Sequence, residues 1–553
     1  MRRRDRNDAE LRDVIVVGGG PVGLTAALWL ADGGAAVTVV EQQTAPGDLP
    51  RAISIADETF RIMDFLKICE ELRSETLLDT GSRYFGLNDR LLAASKPLPS
   101  RSGHPAKSQF DQPVLEKLLW DRAVAHERID FRTGMRAVGV AQSSDRVSVE
   151  VRPAGEDTQS ELLVASFLIG ADGGKSFVRS AIGTRLVGST QQERWIVVDL
   201  VNVMTPREPY AEFYGNGRRP YVLVPGVKNR LRIEFMLFDG EDGDAMCAPE
   251  KIIALCEPIE SGVRPEDIRR AVVYVAHQRV AEHYRRGRAF LVGDAAHLMP
   301  PFSGQGLNAG LRDANNIAWK ILDVLAGRGT DALLDSYEAE RRAHGAKMVT
   351  VSRRTGDVVM AIGAARTRLR DLLFRAISVV PPVYDYLRYM RFITPPNYAD
   401  GVAVRAPSRR SPLADAVGRP LGQPTVVFAN GETGGLDRAL GGEWALVQIG
   451  QGIGVDTRHP YWDGLGVRRV RVLPAGTRVA SVAEADVADV VETADTVVSL
   501  CREARTAGAQ AVTLLVRPDK YVAAVIVPGD ENRIIAGLRE YEAPPVLVRQ
   551  EES

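Results

Sequence analysis

The chain has 553 residues, 45% hydrophobic and 25% charged, with 70 Lys+Arg against 71 Asp+Glu and a net charge of −1. That is ordinary globular composition, long enough for two or three domains. The charge balance argues against a nucleic-acid binder, whose affinity rests on a clustered positive surface. The first residues, MRRRDRNDAE, are followed by no apolar region of signal-peptide length. No stretch approaches the roughly 18 apolar residues of a membrane span. A cytoplasmic protein with no membrane or nucleic-acid partner is expected. Residues 11–41 read as strand, tight turn, helix and strand: RDVIVV, GGGPVG, LTAALWLADGG, AAVTVVE. Helical spacing follows at 110–125, and strand-like runs occupy 130–170. The runs RWIVVDLVNV, RPYVLVPGV and LRIEFMLF predict antiparallel strands of a different sheet, placed in an insertion of about 185–285. RAFLVG at 288–293 returns to a parallel-type strand, a helix is expected over 306–327, and 333–390 is mostly helical in pattern. Pro, Gly and Arg enrichment marks 396–411 as a linker between a core of 1–395 and a tail of 412–553. The tail has the size and element order of a thioredoxin-like unit, with a helix expected around 481–505. The four cysteines, Cys69, Cys247, Cys256 and Cys501, form no CxxC pair. That weakens a zinc site and a dithiol centre, fits a reducing compartment, and leaves the tail a structural or dimerisation role, with a homodimer as one expectation.

Three motifs carry chemistry. Gly18-x-Gly20-x-x-Gly23 follows a strand and opens a helix, with Glu41 ending the next strand. Gly18 permits the turn, Gly20 lets a pyrophosphate approach the backbone, and Gly23 lets helix and strand pack closely. The helix N-terminus offers free N–H groups to phosphate, and Glu41 can accept from unphosphorylated ribose. The second motif, GADGGKSFVRSAIG at 170–183, puts Asp172 at a strand end. In the third, LVGDAAHLMPPFSGQGLNAGLRDANNIAWK at 291–320, an acid (Asp294) follows a strand, and a Pro/Gly loop leads into a helix near Gly306. Asp294 is placed to bind a cofactor hydroxyl, and the helix N-terminus can stabilise negative charge on a ligand.

In this order and spacing, over roughly residues 12–390, the motifs resemble the class A FAD-dependent aromatic monooxygenases of the para-hydroxybenzoate hydroxylase fold. PRAISIADETFRIM, RWIVVDLVN, RPYV and MRFITPP are similar to the 3-(3-hydroxyphenyl)propionate hydroxylase subgroup. The resemblance implies an α/β fold: a Rossmann-type FAD-binding domain with an interleaved substrate sheet, a helical segment and a thioredoxin-like C-terminal domain. It implies that Gly18, Gly20, Pro21, Gly23, Glu41 and Gln42 hold the ADP half of FAD. Arg51 would reach the pyrophosphate, Gln112 and Asp172 would contact the cofactor, and Asp294 would bind the ribityl chain. Pro300 and Pro301 would line the flavin, Gly304 and Gly306 would form its loop and helix start, and Leu307 and Asn308 would present backbone N–H groups to its N1/O2 edge. The expected reaction is NADH- or NADPH-consuming hydroxylation of a phenolic aromatic acid by O2, through a hydroperoxide at flavin C4a. A polyketide-tailoring hydroxylase and a flavin reductase that never activates oxygen remain open. Where phenol hydroxylase has a substrate-deprotonating aspartate, this chain has Ile53, so no substrate base is named.

Tyr214, Tyr221 and His297 are the catalytic candidates. The two tyrosines fall in the strand region that faces substrate in this family, although tyrosines in sheets also serve packing. His297 lies in the flavin loop, where it could act near the flavin or only hydrogen-bond its surroundings. Arg232 is either a carboxylate clamp or a solvated arginine, and Arg179 is a candidate cofactor contact.

Overall fold

The computed structural model describes residues 12–155, 159–300, 304–405, 415–450, 458–477, 487–492 and 511–542. Strand Arg12–Val17 forms because its β-branched run is buried on both faces, with Val14, Ile15 and Val16 fully enclosed. It lies between Val37–Glu41 and Glu161–Gly170 in a parallel array that continues to Ile129–Thr133 on one side and Ala289–Leu291 on the other. The strands Met135–Gln142 and Val147–Pro153 return antiparallel along Glu161–Gly170. Helix Pro21–Asp32 packs on this sheet and against helix Gly306–Leu325. Their approach depends on Gly310, where a Cβ would sit 2.7 Å from the Val22 side chain and 3.0 Å from Gly293 Cα.

The second sheet runs His297–Leu298, Ile268–Ala281, Leu186–Leu200, Leu231–Leu237, Tyr221–Pro225, Tyr210–Tyr214, Gly81–Phe85, Leu91–Ser95. It is antiparallel except where Tyr210–Tyr214 pairs parallel to Gly81–Phe85. The sheet therefore exceeds the 185–285 stretch read from sequence, because residues 81–95 supply two of its strands. Helices Asp331–Val359, Ala364–Ser378 and Pro381–Arg388 follow helix Gly306–Leu325. Residues 396–405, within the segment read as a linker, are anchored: Tyr398 and Val402 are buried, and Val402 N–H donates to Glu340.

In the tail, Ala445–Gly450 and Arg468–Leu473 are parallel, Ala511–Val516 and Val522–Ile526 form an antiparallel hairpin beside the first, and helix Glu531–Leu538 follows. Val487–Glu492 is a strand parallel to Arg468–Leu473, so the helix expected around 481–505 is wrong at this point. The VADVV run is gripped between two strands, with Val490 and Val491 buried, and this pairing overrides local helical tendency. The rest of that expected helix, Cys501 included, lies outside the described residues. Cys69 and Cys256 are buried, and burial pushes both thiols up to about 12, so neither is a ready nucleophile. Among the described residues no helix is long and apolar enough to cross a membrane, and no cluster of metal-ligating side chains occurs.

The tail is fixed to the core by buried charge. Arg517 donates to both oxygens of Glu340 (2.6 and 2.9 Å) and to Asp519, while Lys320 Nζ donates to Glu340 at 2.9 Å. Two cations and two anions balance, and all four side chains are essentially enclosed. Elsewhere Arg61 makes a two-pronged bond to Asp437, and Trp444 Nε1 donates to Asp323 at 2.9 Å. Burial alone would raise the Glu340 carboxyl, but Arg517 and Lys320 outweigh it and hold it well below the ordinary glutamate value. Removing one charge from such a cluster leaves the others uncompensated, at a cost of about 3–5 kcal/mol. Glu340→Gln is accordingly expected to lower the denaturation midpoint clearly near neutral pH. Because the folded-state pKa is depressed, the wild-type advantage is full above the unfolded glutamate value of about 4.3 and shrinks as pH falls below it. Urea unfolding of both proteins from pH 7 down to about pH 2.5 measures this.

Candidate active site

One cavity of about 1180 Å³ runs from the glycine turn to the second sheet. At its first end Gly18 has φ +112°, and a Cβ there would lie 2.4 Å from the Ala171 carbonyl oxygen. A Cβ on Gly23 would lie 2.0 Å from the Gly18 oxygen, while one on Gly20 would meet nothing within 4 Å. Gly18 and Gly23 are thus required by the fold, and Gly20 leaves open space where a ligand backbone would approach. Gly20 caps helix Pro21–Asp32 without a side-chain hydrogen bond, so the helix's first N–H groups are left for a ligand. Gly18, Gly20, Pro21, Glu41, Gln42, Arg51, Gln112 and Asp172 all line this end. Glu41 accepts from Gly19 N–H (2.6 Å) and Gln43 N–H (2.8 Å), one bond per oxygen, which leaves lone pairs for ribose hydroxyls. Gln112 Oε1 accepts from Ala52 N–H, fixing the segment that carries Arg51. Asp172 accepts from Ser176 and from Val178 N–H at 3.0 Å, closing the start of helix Phe177–Ala181. This donor set, with anion-ready amides beside a ribose-ready acid, fits the ADP half of FAD.

Midway along, Asp294, Gly304, Gly306 and Leu307 line the cavity. Asp294 is exposed where it lines the cavity and has no hydrogen-bond partner among the described residues. Desolvation by the surrounding protein raises its carboxyl, offset in part by His297 and Arg51. Helix Gly306–Leu325 has Gln305 at its start with no side-chain cap, and the first amide bonded within it is Ala309 N–H to Gln305. The preceding amides point outward at the helix's positive end. The Asn308 side chain does not face the cavity. It accepts from Ala56 N–H (2.9 Å) and Thr59 (2.6 Å) and donates to the Gly304 carbonyl (2.7 Å), clamping the loop. Pro300 is buried and is not a lining residue; Pro301 lies outside the described residues.

The catalytic candidates fare differently. His297 is fully buried away from the cavity and donates through Nε2 to Asp313 at 2.7 Å. It is a positioning residue of the loop. Tyr214 and Tyr221 face the opposite side of the sheet: their rings stack at 4.4 Å, and the Tyr214 hydroxyl donates to Glu212. The alternation of a strand decides this. Ala211, Phe213, Val222 and Val224 point into the cavity, so their neighbours Tyr214 and Tyr221 point away. Arg232 does face the cavity, but it is bound two-pronged to Asp199 and donates to the Pro50 and Arg51 carbonyls. Arg179 donates to the Ala295 and Gly174 carbonyls and is not a lining residue.

Sequence reasoning missed Lys107, Tyr84 and Glu234, which line the sheet end of the cavity. Lys107 Nζ donates to Ser82 Oγ at 2.7 Å and lies 3.4 Å from the Gly81 carbonyl oxygen. Burial pushes its ammonium down to about 8. Burial also raises the Glu234 carboxyl, against the pull of Arg232. The one signal for Glu234 was a charge alternating within LRIEFMLF; Lys107 belonged to no motif.

Residues 12–352 match the FAD binding domain family, and residues 418–541 match the HcaD C-terminal domain family. The chain is 36% identical over 530 residues, 95% of each chain, to a 3-(3-hydroxy-phenyl)propionate/3-hydroxycinnamic acid hydroxylase of Burkholderia vietnamiensis. A protein of the same name from Mycolicibacterium smegmatis is 35% identical over 79% of this chain and 76% of its own. Among solved structures, the flavin-dependent monooxygenase PieE with FAD and substrate superposes with a TM-score of 0.75 at 20% identity, over 95% and 98% of the two chains. Aklavinone-11 hydroxylase with FAD and aklavinone gives 0.72 at 23%, over 97% and 99%.

Two outcomes follow from the geometry. Asp294→Ala removes a carboxyl that bonds nothing else in the described chain, so it is expected to weaken FAD retention at least tenfold with little change in apoprotein melting. Equilibrium dialysis against FAD and thermal unfolding check the two halves. Tyr221→Phe, on the far face, is expected to change turnover less than about threefold, as steady-state kinetics will show.

Proposed function

Because the chain belongs to the FAD-dependent aromatic hydroxylases, we propose that it hydroxylates a phenolic aromatic acid of the 3-(3-hydroxyphenyl)propionate or 3-hydroxycinnamate type, using O2 and NAD(P)H. The observation that carries this reading is the single cavity joining a dinucleotide-type glycine turn to an apolar sheet wall with polar ends. At about 1180 Å³ it exceeds the roughly 300–1,000 Å³ of a usual small-molecule pocket, leaving room for a cofactor and an aromatic ring together. The names of the relatives support the acid, since the match extends over nearly the whole chain.

We assign the ADP half of FAD to Gly18, Gly20, Pro21, Gly23, Glu41, Gln42, Arg51, Gln112 and Asp172, and the flavin end to Asp294, Gly304, Gly306 and Leu307. Bound FAD, reduced by NAD(P)H, supplies the oxygen-activating chemistry. The chain's own part is placement. The helix starting at Gly306 offers amides and a positive dipole end to charge on the flavin edge. Phe213, Val222, Val224 and Phe392 enclose the ring and keep water from the reacting centre. Ile53, also lining, supplies no base, so the phenol proton is handled by another group or by solvent. In the tail, three parallel strands beside an antiparallel hairpin and a closing helix support a thioredoxin-like unit, here a structural one.

The test is NADH and NADPH oxidation with O2 uptake across a panel of phenolic acids, neutral phenols and polyketide phenols, scoring hydroxylated product. Efficient coupled hydroxylation of phenolic acids is expected. Turnover confined to polyketide phenols would replace the substrate assignment. The true substrate is also expected to speed flavin reduction at least tenfold, since a flavin reduced without substrate wastes nicotinamide. Stopped-flow reduction with and without the phenolic acid measures this.

A further inference from the structure

The sheet end of the cavity carries three cations, and they differ in what already neutralises them. Arg232 is committed to Asp199 through two bonds and to two backbone carbonyls. Arg270 donates to the Pro50 carbonyl and lies 3.9 Å from the same carboxylate. Lys107 has no carboxylate within ion-pair distance among the described residues. Its acceptors among the described residues are the Ser82 hydroxyl and, at 3.4 Å, the Gly81 carbonyl. An ammonium has three donors, so at least one is left for the cavity. A cation set in protein without a counter-ion is costly, and an incoming anion relieves that cost.

The wall beside Lys107 sets what that anion is attached to. Tyr84 stands opposite Phe213, Phe213 opposite Val222, and Val222 opposite Glu234. Ser82, the hydroxyl that holds Lys107, stands opposite Ala211 in the next row. An apolar floor of Ala211, Phe213 and Val222 thus separates Lys107 from the far strand, where Glu234 and Arg232 share one face. A flat ring bearing one carboxylate lies on such a floor with the carboxylate toward Lys107, because the arginines at the other end already hold the Asp199 carboxylate and backbone carbonyls and stand beside the Glu234 carboxyl.

We propose that Lys107 forms an ion pair with the substrate's carboxylate and is the residue that selects aromatic acids over neutral phenols. This rests on the aromatic-acid reading above. It moves the carboxylate-binding role from Arg232, whose charge is already spent inside the protein, to a strand of a different small sheet, Lys107–Phe110.

The experiment uses the FAD-loaded full chain and two ligands of one shape: 3-(3-hydroxyphenyl)propionate and its neutral primary amide. Dissociation constants come from the change in flavin absorbance. Wild type is expected to prefer the acid. Lys107→Met is expected to weaken acid binding about 30-fold, which is about 2 kcal/mol at 1.4 kcal/mol per tenfold. The amide is expected to stay within about threefold. Lys107→Arg is expected to recover most of the preference. Should Lys107→Met not accumulate as folded flavoprotein, Lys107→Gln carries the same comparison. Equal losses for acid and amide, or an acid preference that survives neutralisation, overturn the Lys107 assignment while wild-type turnover of the acid leaves the aromatic-acid reading standing. A wild type that hydroxylates neutral phenols and binds the acid no better than the amide overturns both.

Discussion

The site depends on one enclosed carboxylate. Asp313, fully buried in helix Gly306–Leu325, accepts from Gly293 N–H at 3.0 Å, His297 Nε2 at 2.7 Å and Arg341 Nε at 2.7 Å. Burial alone would raise its carboxyl, but Arg341 and His297 reverse this and hold it below the ordinary aspartate value. Those three bonds tie the strand end before Asp294, the loop after it and a second helix to the helix whose start faces the cavity. A carboxylate paired in this way keeps its charge without water, and its geometry is fixed because every donor is itself packed. Asp294 can therefore turn its own carboxyl to the cavity, since its neighbours carry the structural bonding.

A second set of bonds makes the substrate wall and the cofactor end one body. Arg232 and Arg270 reach from the second sheet to the carbonyl of Pro50, and Arg269 to that of Asp48. Gln112 holds Ala52 N–H from the other side. The segment bearing Arg51 is thus suspended between the second sheet and helix Gln112–Val124. A shift of either reaches the other through hydrogen bonds to backbone, where there is little slack.

What was legible in the sequence follows from this division. The glycine turn, the acid at a strand end and the loop–helix start are local devices: contiguous residues make them, and their roles follow from backbone geometry. The parallel strands were legible because burial on both faces leaves an unbroken apolar run, as in Val14–Val17. The substrate wall was not, because which side of a strand faces the cavity depends on register with strands far away in the chain. Tyr214 and Tyr221 show the result: the right strands, the wrong face. Lys107 was illegible for the same reason, since it becomes notable only when the fold brings Ser82 to it and no acid. The strand Val487–Glu492 was read as helix because its alternation is short and its partners lie far from it in sequence.

Among the described residues the tail lines no part of the cavity, yet it is wired to the loop before helix Gly306–Leu325 through two adjacent residues of one helix. Glu340 takes the tail's Arg517, and Arg341, next to it, takes Asp313. Successive residues on a helix point about 100° apart, so a single turn of Asp331–Val359 presents one charge to each side. Arg341 also donates to the Tyr398 hydroxyl at 2.8 Å, and the Tyr398 ring lies 4.4 Å from that of Tyr521 in the tail. Two routes, one ionic and one aromatic, thus lead from the tail to Arg341 and through it to the carboxylate that fixes the loop. A unit whose described residues stand away from the cavity can in this way hold the cavity's geometry: it removes the freedom of the helix from which the loop is hung.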